Sequence, residues 1–292
     1  MKKILVFGGT RFFGKALVQH LIKSDYQVTI ATRGITPDEF GQSVRRLIVN
    51  REDRDSIRHA FQNQFFDIVF DNICYSPNEA KMICEELEGK VGRFIFTSTM
   101  SVYNREKSIN EIQFNPYTYD IVLGNRSAFT YGEGKRLAEA VFFQKAPFPV
   151  VAVRFPVVLG KEDYTRRLLF YCEHIVNNQT LNISDGELCF IEAEEAARFL
   201  EWIGENEYCG PINACSNGII SMKEIIYYIE KKSGKNTILS DQGIESPYNL
   251  ISDFIILNDK ARTLGFQFND LRDYLFDLLD HYLKEVQPSD EM

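Results

Sequence analysis

The chain has 292 residues, 45% of them hydrophobic and 13% aromatic, enough apolar material for one large or two modest cores and too much for a disordered polypeptide. Its 33 Lys and Arg against 41 Asp and Glu leave a net charge of −8, which argues against a protein whose main task is to neutralise a nucleic-acid backbone. Apolar runs such as Ile4 to Phe7 and Phe148 to Val153 fall far short of the roughly 20 residues a membrane-spanning helix needs, so no membrane partner is expected. Met1-Lys2-Lys3 has the charge of a signal peptide's first region, but Gly8-Gly9 and Arg11 end the apolar run at once, and the segment reads as a first strand. Six cysteines without a Cys-x-x-Cys pair point to reduced thiols and a cytoplasmic location. His20, His59, His174 and His281 are scattered without metal-ligand spacing, so no metal site is expected.

In chain order, strand-like runs at Lys3 to Phe7, Gln27 to Thr32, Arg46 to Val49, Asp67 to Asp71, Arg93 to Thr97 and Val150 to Arg154 alternate with segments of helical period. The helical segments are Phe13 to Lys23, Arg54 to Gln64, Asn78 to Leu87 and Tyr131 to Gln144. This alternation predicts an α/β fold, a Rossmann-type doubly wound parallel sheet, with the first five strands covered on both faces. The rhythm breaks at Phe155-Pro-Val-Val-Leu-Gly160. Residues 1–160 are therefore expected to form a dinucleotide-binding domain, and 161–292 a smaller mixed α/β substrate region packed upon it. In that second region helices are expected at about Thr165 to Asn177, Ala193 to Gly204, Ser221 to Lys232 and Asp270 to Val286, with short strands at Leu181 to Ser184 and Leu188 to Ile191. Gln287 to Met292 are expected to fray. Aromatics such as Phe142, Phe143, Phe170 and Tyr171 read as core or interface.

Gly8-Gly-Thr-Arg-Phe-Phe-Gly14 lies between the first strand and the first helix, where a tight turn aims backbone N–H groups and the positive helix end at a pyrophosphate. Gly8 would permit the turn, Gly14 would let helix and strand approach, and Thr10, Arg11, Phe12 and Phe13 would border the phosphates. The second strand ends Ile30-Ala-Thr-Arg-Gly34, without the acidic residue that accepts hydrogen bonds from an adenosine ribose 2′-hydroxyl. Arg33 and Arg11 would instead clamp a 2′-phosphate, favouring NADP as cofactor with NAD as the alternative.

The glycine turn, Thr97-Ser-Thr-Met-Ser-Val-Tyr103 after the fifth strand and Tyr131-Gly-Glu-Gly-Lys135 together resemble the short-chain dehydrogenase/reductase superfamily. Within it they are most similar to the extended, atypical branch, the NAD-dependent epimerase/dehydratase family. The specific motifs run from residue 3 to about 160 and continue weakly through Ile191-Glu-Ala-Glu-Glu-Ala-Ala197 and Ile212-Asn-Ala214. Tyr131 and Lys135, four apart, share a helix face, and an ammonium near a phenol favours the phenolate. The resemblance implies that Tyr131 exchanges a proton with a substrate hydroxyl or carbonyl while the nicotinamide exchanges a hydride. Lys135 would then hold the nicotinamide ribose and Thr99 would hydrogen-bond the reacting oxygen.

The resemblance also implies that Asn50 and Arg51 after the third strand approach the adenine, that Asn72 and Ile73 after the fourth lie along the cofactor, and that Phe155 to Val157 line the nicotinamide pocket. Arg11 replaces the middle glycine of the extended family's pattern. Met100-Ser101 stand where sugar-nucleotide dehydratases carry an Asp-Glu pair, so dehydration is not expected, and epimerisation and simple redox chemistry stay open. Arg166 and Arg167 are candidates for a substrate diphosphate or carboxylate. The expected partner is a small molecule, nucleotide-sugar-like or otherwise hydroxyl-bearing, and relatives suggest a homodimer. A rival reading is a non-catalytic NADP(H) sensor or RNA-binding protein, since the Gly-Gly-Thr-Arg-Phe turn also resembles the chloroplast stem-loop binding proteins.

Overall fold

The computed structural model describes residues 1–287. Six strands follow one another through the first half: β1 (Lys3–Phe7), β2 (Gln27–Thr32), β3 (Arg45–Ile48), β4 (Phe66–Asp71), β5 (Val91–Thr99) and β6 (Val150–Phe155). Between them lie α1 (Phe12–Lys23), α2 (Arg54–Ala60), α3 (Pro77–Glu86) and α4 (Tyr131–Lys145). The second half adds β7 (Val157–Leu159), α5 (Arg167–Val176), β8 (Thr180–Asn182), β9 (Glu187–Leu188), β10 (Phe190–Glu192), α6 (Ala193–Glu205) and β11 (Gly210–Asn213). It closes with β12 (Ile220–Ser221), α7 (Met222–Ser233), β13 (Ile238–Leu239), β14 (Ile244–Glu245), α8 (Asp259–Thr263) and α9 (Arg272–Val286).

The main sheet has seven strands in the order β11-β6-β5-β4-β1-β2-β3, every pairing parallel. Such a sheet needs helices on both faces. On one face α1 and α6 pack with Ile4, Val6, Val28, Ile30, Val151 and Val153 into one core. On the other, α2, α3 and α4 cover Leu5, Phe7, Val69, Phe94, Phe96 and Ala152. The expected doubly wound α/β architecture is the one observed, and its order reverses between β1 and β4, where the strand ends splay and a ligand crevice forms.

The structure corrects several expected details. β3 is the edge strand and largely exposed, so its Arg45 and Arg46 face solvent instead of a second layer. α2 stops at Ala60, short of Gln64; Asn63 takes a left-handed φ of 57°, which ends the helix. The expected break after Arg154 contains β7. Pro156 has no N–H to donate, so pairing with the main sheet lapses there and Val157–Leu159 run parallel to β10 instead.

The expected boundary at residue 160 is crossed in space. β11 adds to β6 as the seventh strand and α6 lies beside α1, while α5, α7 and α9 enclose a separate core around Leu168, Tyr171, Ile225, Leu275 and Leu279. Phe142 and Tyr171 are core residues, and Phe143 and Phe170 are partly buried against the cores. Gln287 closes α9 with its N–H on the Leu283 carbonyl; the remainder of the segment expected to fray, 288–292, lies outside the described residues. Among the described residues no helix is long and apolar enough to cross a membrane.

Candidate active site

A cleft of about 870 Å³ opens at the C-terminal ends of the main-sheet strands. At its floor the chain turns from β1 into α1. Gly8 has φ +75°, a conformation that favours glycine, and a Cβ on Gly14 would strike the Gly8 carbonyl oxygen. The helix therefore starts close against the strand end. Its N-cap, Arg11, makes no side-chain cap hydrogen bond, and no acidic residue sits in the first turn, whereas α2, α3, α4 and α7 are capped by Asp53, Ser76, Thr130 and Ser221. The free N–H groups and helix dipole of α1 suit an anion. Phe12, at φ 51°, sits in a conformation costly for a bulky side chain.

Beyond the turn the cleft runs past Thr10, Arg11, Arg33, Thr36, Asn50 and Arg51. Arg11 donates to the Thr36 hydroxyl at 3.3 Å, and among the described residues neither Arg11 nor Arg33 has a carboxylate partner within ion-pair distance. Asn50 accepts from the Glu52 N–H. Arg51 is buried, pairs with Asp71 and lies 3.5 Å from Glu79, yet its Nε and one terminal nitrogen have no hydrogen-bond partner among the described residues. Nor has Asn72 Nδ2, although Asn72 Oδ1 accepts from Thr97 at 2.7 Å. A nine-tenths-buried guanidinium and an amide with idle donors on the wall of a cleft fit a polar ligand, and the turn, the uncapped helix and these donors together suit a dinucleotide.

At the other end stand Thr99, closing β5, and Tyr131 and Lys135 in the first turns of α4. Thr99 Oγ1 accepts from the Ser101 N–H and lies 3.3 Å from the Ser101 hydroxyl. The cleft walls that crowd the Tyr131 phenol raise its pKa, while the Thr99 hydroxyl and the charges of Arg167 and Arg126 oppose this. Lys135 is buried; its ammonium donates to the Thr97 carbonyl at 2.8 Å and sits 4.6 Å and 4.7 Å from the ring centroids of Tyr75 and Phe96. Burial lowers its pKa to about 8, with Asp71 pulling the other way. The charges acting most on the phenol are thus the two arginines, and the lysine anchors the floor beneath.

Of the expected site residues, Gly8, Thr10, Arg11, Phe12, Phe13, Gly14, Arg33, Asn50, Arg51, Asn72, Thr99, Tyr131, Lys135, Phe155, Val157 and Arg167 all line this cleft. Arg166 does not. It takes φ 53° at the N-cap of α5, which swings its side chain away to Glu173 at 2.6 Å and Glu285 at 3.5 Å, and leaves Arg167 as the cleft residue of the pair. Tyr75, Arg126 and Tyr164 also line the cleft; they sit in connections between the main elements, where no motif points to them.

Residues 4–76 match the model of the NAD dependent epimerase/dehydratase family. A UDP-glucose 4-epimerase of Neisseria meningitidis serogroup C is 27% identical over 193 residues, 56% of this chain and 55% of that protein. The chloroplast stem-loop binding protein of 41 kDa b of Arabidopsis thaliana is 33% identical over 115 residues, 35% of this chain and 30% of that protein. The matched stretches thus cover less than two thirds of either relative. Among solved structures, the UDP-glucose 4-epimerase of Thermus thermophilus in complex with NAD superposes with a TM-score of 0.71 at 15% identity, over 96% of this chain and 98% of that one. The UDP-glucuronic acid 4-epimerase of Bacillus cereus, in complex with UDP-glucuronic acid and NAD, gives 0.74 at 19% over 97% and 99%. The family model thus covers the first four strands, and the fold of these solved epimerases is shared along nearly the whole chain.

Proposed function

We propose that the protein is an NAD(P)-dependent oxidoreductase or epimerase that exchanges a hydride with a nucleotide-sugar-like or other hydroxyl- or carbonyl-bearing small molecule, with Tyr131 as acid and base. The observation that carries this reading is one continuous cleft holding the glycine turn at one end and Thr99 with Tyr131 at the other. Bound in it, a nicotinamide would supply the hydride acceptor or donor. Tyr131 takes the proton of the substrate hydroxyl in the oxidising direction and returns it in the reducing one; burial raises its pKa, and Thr99, Arg167 and Arg126 act against that rise. Thr99 would orient the reacting oxygen, and Lys135, fixed on the Thr97 carbonyl and lining the same cleft, would hold the nicotinamide ribose. Met100 and Ser101 line the cleft and supply no carboxylate pair, which argues against dehydration.

Arg11 and Arg33, without carboxylate partners among the described residues, favour NADP(H) in this reading, although the solved relatives named above carry NAD. Titration of nucleotide-free protein should show NADPH binding at least about tenfold tighter than NADH, about 1.4 kcal/mol, with the preference lost in Arg33→Gln. Stoichiometric NAD released on denaturation would overturn the clamp and indicate an epimerase that recycles a captive hydride. Tyr131→Phe should abolish turnover while cofactor affinity stays within a few-fold; undiminished turnover would sink the assignment. The partial match to a chloroplast stem-loop binding protein favours a second reading, RNA binding. The acidic net charge opposes it, and the absence of a gel shift with stem-loop RNA at low salt would dispose of it.

A further inference from the structure

Two guanidinium groups share the cleft with Tyr131, one of them over the Tyr75 ring whose centroid lies 6.2 Å from that of Tyr131, and neither has a carboxylate partner among the described residues. Arg126 lies on the helical turn Arg126–Ala128 ahead of α4, and Arg167 opens α5; both line the cleft. Adjacent Arg166 shows the contrast, turned away from the cleft and paired with Glu173 and Glu285. Arg126 is held in place. Its guanidinium carbon lies over the Tyr75 ring, 4.1 Å from the centroid, and Lys135 sits 4.6 Å from the same centroid.

A guanidinium stacked on a ring spends its face and keeps its in-plane fork of N–H donors free, the geometry that suits a carboxylate or phosphate. Arg167 uses Nε on the Thr165 hydroxyl at 3.0 Å, which leaves its terminal nitrogens available. Of the acidic residues in the cleft wall, Glu79 is already engaged by the Tyr75 N–H at 2.9 Å, by Ser76 at 3.1 Å and by Arg51.

We propose that Arg126 and Arg167 together receive an anionic group, carboxylate or phosphate, carried by the substrate close to the carbinol that reacts at Tyr131. The substrate is therefore a hydroxy acid or a phosphorylated polyol in its reacting part, a uronic-acid-like sugar being one form, and neutral sugars are poor ligands. This rests on the reading of Tyr131 as the proton-transfer group, and it adds a specificity element that the family motifs do not contain.

The test uses two pairs of ligands that differ only in the anionic group: UDP-glucuronate against UDP-glucose, and glucose 6-phosphate against glucose. Each is titrated calorimetrically into the full chain saturated with its nicotinamide cofactor. In at least one pair the anionic member should bind about tenfold or more tightly than the neutral one, and the pair that discriminates tells carboxylate from phosphate. The ratio should collapse to within about twofold in Arg126→Gln and in Arg167→Gln, recover in part in Arg126→Lys, and persist in Tyr131→Phe. Arg126 is exposed, so its variants should melt as the parent does. Equal binding within both pairs, failure of all four ligands to bind, or a preference that survives Arg126→Gln overturns the proposal. The hydride-transfer reading is judged separately, by cofactor titration and by turnover of Tyr131→Phe, so the two fail distinguishably.

Discussion

At Lys135 an ammonium is enclosed with one carbonyl and two aromatic faces for company. Burial, opposed by Asp71, brings its pKa from the ordinary 10.5 down to about 8. The lowered value means that the folded protein releases this proton more readily than the unfolded chain does. From about pH 8 to pH 10.5 the unfolded state therefore holds the proton that the folded state has lost, and stability contributed here rises with pH; below about pH 8 the charged, desolvated form is a standing cost. The difference corresponds to about 3 kcal/mol. Lys135→Met should accordingly gain stability relative to the parent at pH 7, and that relative gain should shrink by about 3 kcal/mol on going to pH 10.5. Urea unfolding of both proteins at the two pH values measures it, and a difference that does not change with pH would show that the ammonium is solvated. The same variant loses the group beneath Tyr75, so it bears on the placement of Arg126 as well.

The elements around the cleft are tied by a second buried group that no motif announced. Glu139 of α4 receives Arg154 of β6 in two hydrogen bonds, at 2.6 and 3.0 Å, as well as Ser98 of β5. Arg154 also reaches the Tyr103 hydroxyl and the carbonyls of Glu111 and Phe114, and Tyr103 passes the connection to Asn213 of β11 at 2.7 Å. Arg154 and Glu139 are both 0% exposed, so removal of one partner strands a buried charge. Glu139→Ala should cost about 3–5 kcal/mol, and the double replacement Glu139→Leu with Arg154→Met should cost less than the single change. Equilibrium unfolding in urea decides it; a double variant weaker than the single would show that the hydrogen bonds to Tyr103 and the carbonyls dominate. The contrast with β1 and β2 explains what was legible. Those strands ended where expected because runs buried on both faces meet a charged residue or a glycine. β11 was unreadable, since Gly210-Pro-Ile-Asn213 carries three residues poor in strands and Pro211 is tolerated only because the strand is an edge. Arg166 and Arg167 were indistinguishable in sequence, because a single left-handed residue decides which of two neighbours faces the cleft.

For the whole molecule the consequence is that the first 160 residues do not make a complete sheet. One face of β1, β4, β5 and β6 presents Ile4, Val6, Ile68, Phe70, Ile95, Val151 and Val153, and the residues that cover it beside α1 include Ala196, Ala197, Phe199, Leu200 and Ile203 of α6 with Phe266 and Phe268 beyond α8. Arg93 of β5 likewise donates to the carbonyls of Ile203 and Tyr208. Cutting after residue 160 bares the part of that face these residues cover, a contiguous apolar surface of the kind a soluble monomer does not tolerate. It also removes the edge strand that closes β6 and the partner of Tyr103. The glycine turn and its strands would remain in sequence, yet they would lack the packing that fixes α1 against β1, and with it the geometry of the N–H groups at the helix start. The fragment 1–160 should therefore show helical circular dichroism without cooperative thermal unfolding, bind a hydrophobic dye and bind no dinucleotide. The intact chain should unfold in a single transition that a saturating nicotinamide cofactor raises, by about 2.7 kcal/mol at a hundredfold excess over its Kd. A soluble fragment that melts cooperatively and retains cofactor affinity would instead make residues 161–292 an appended unit, and the seven-stranded sheet a later addition to a six-stranded core.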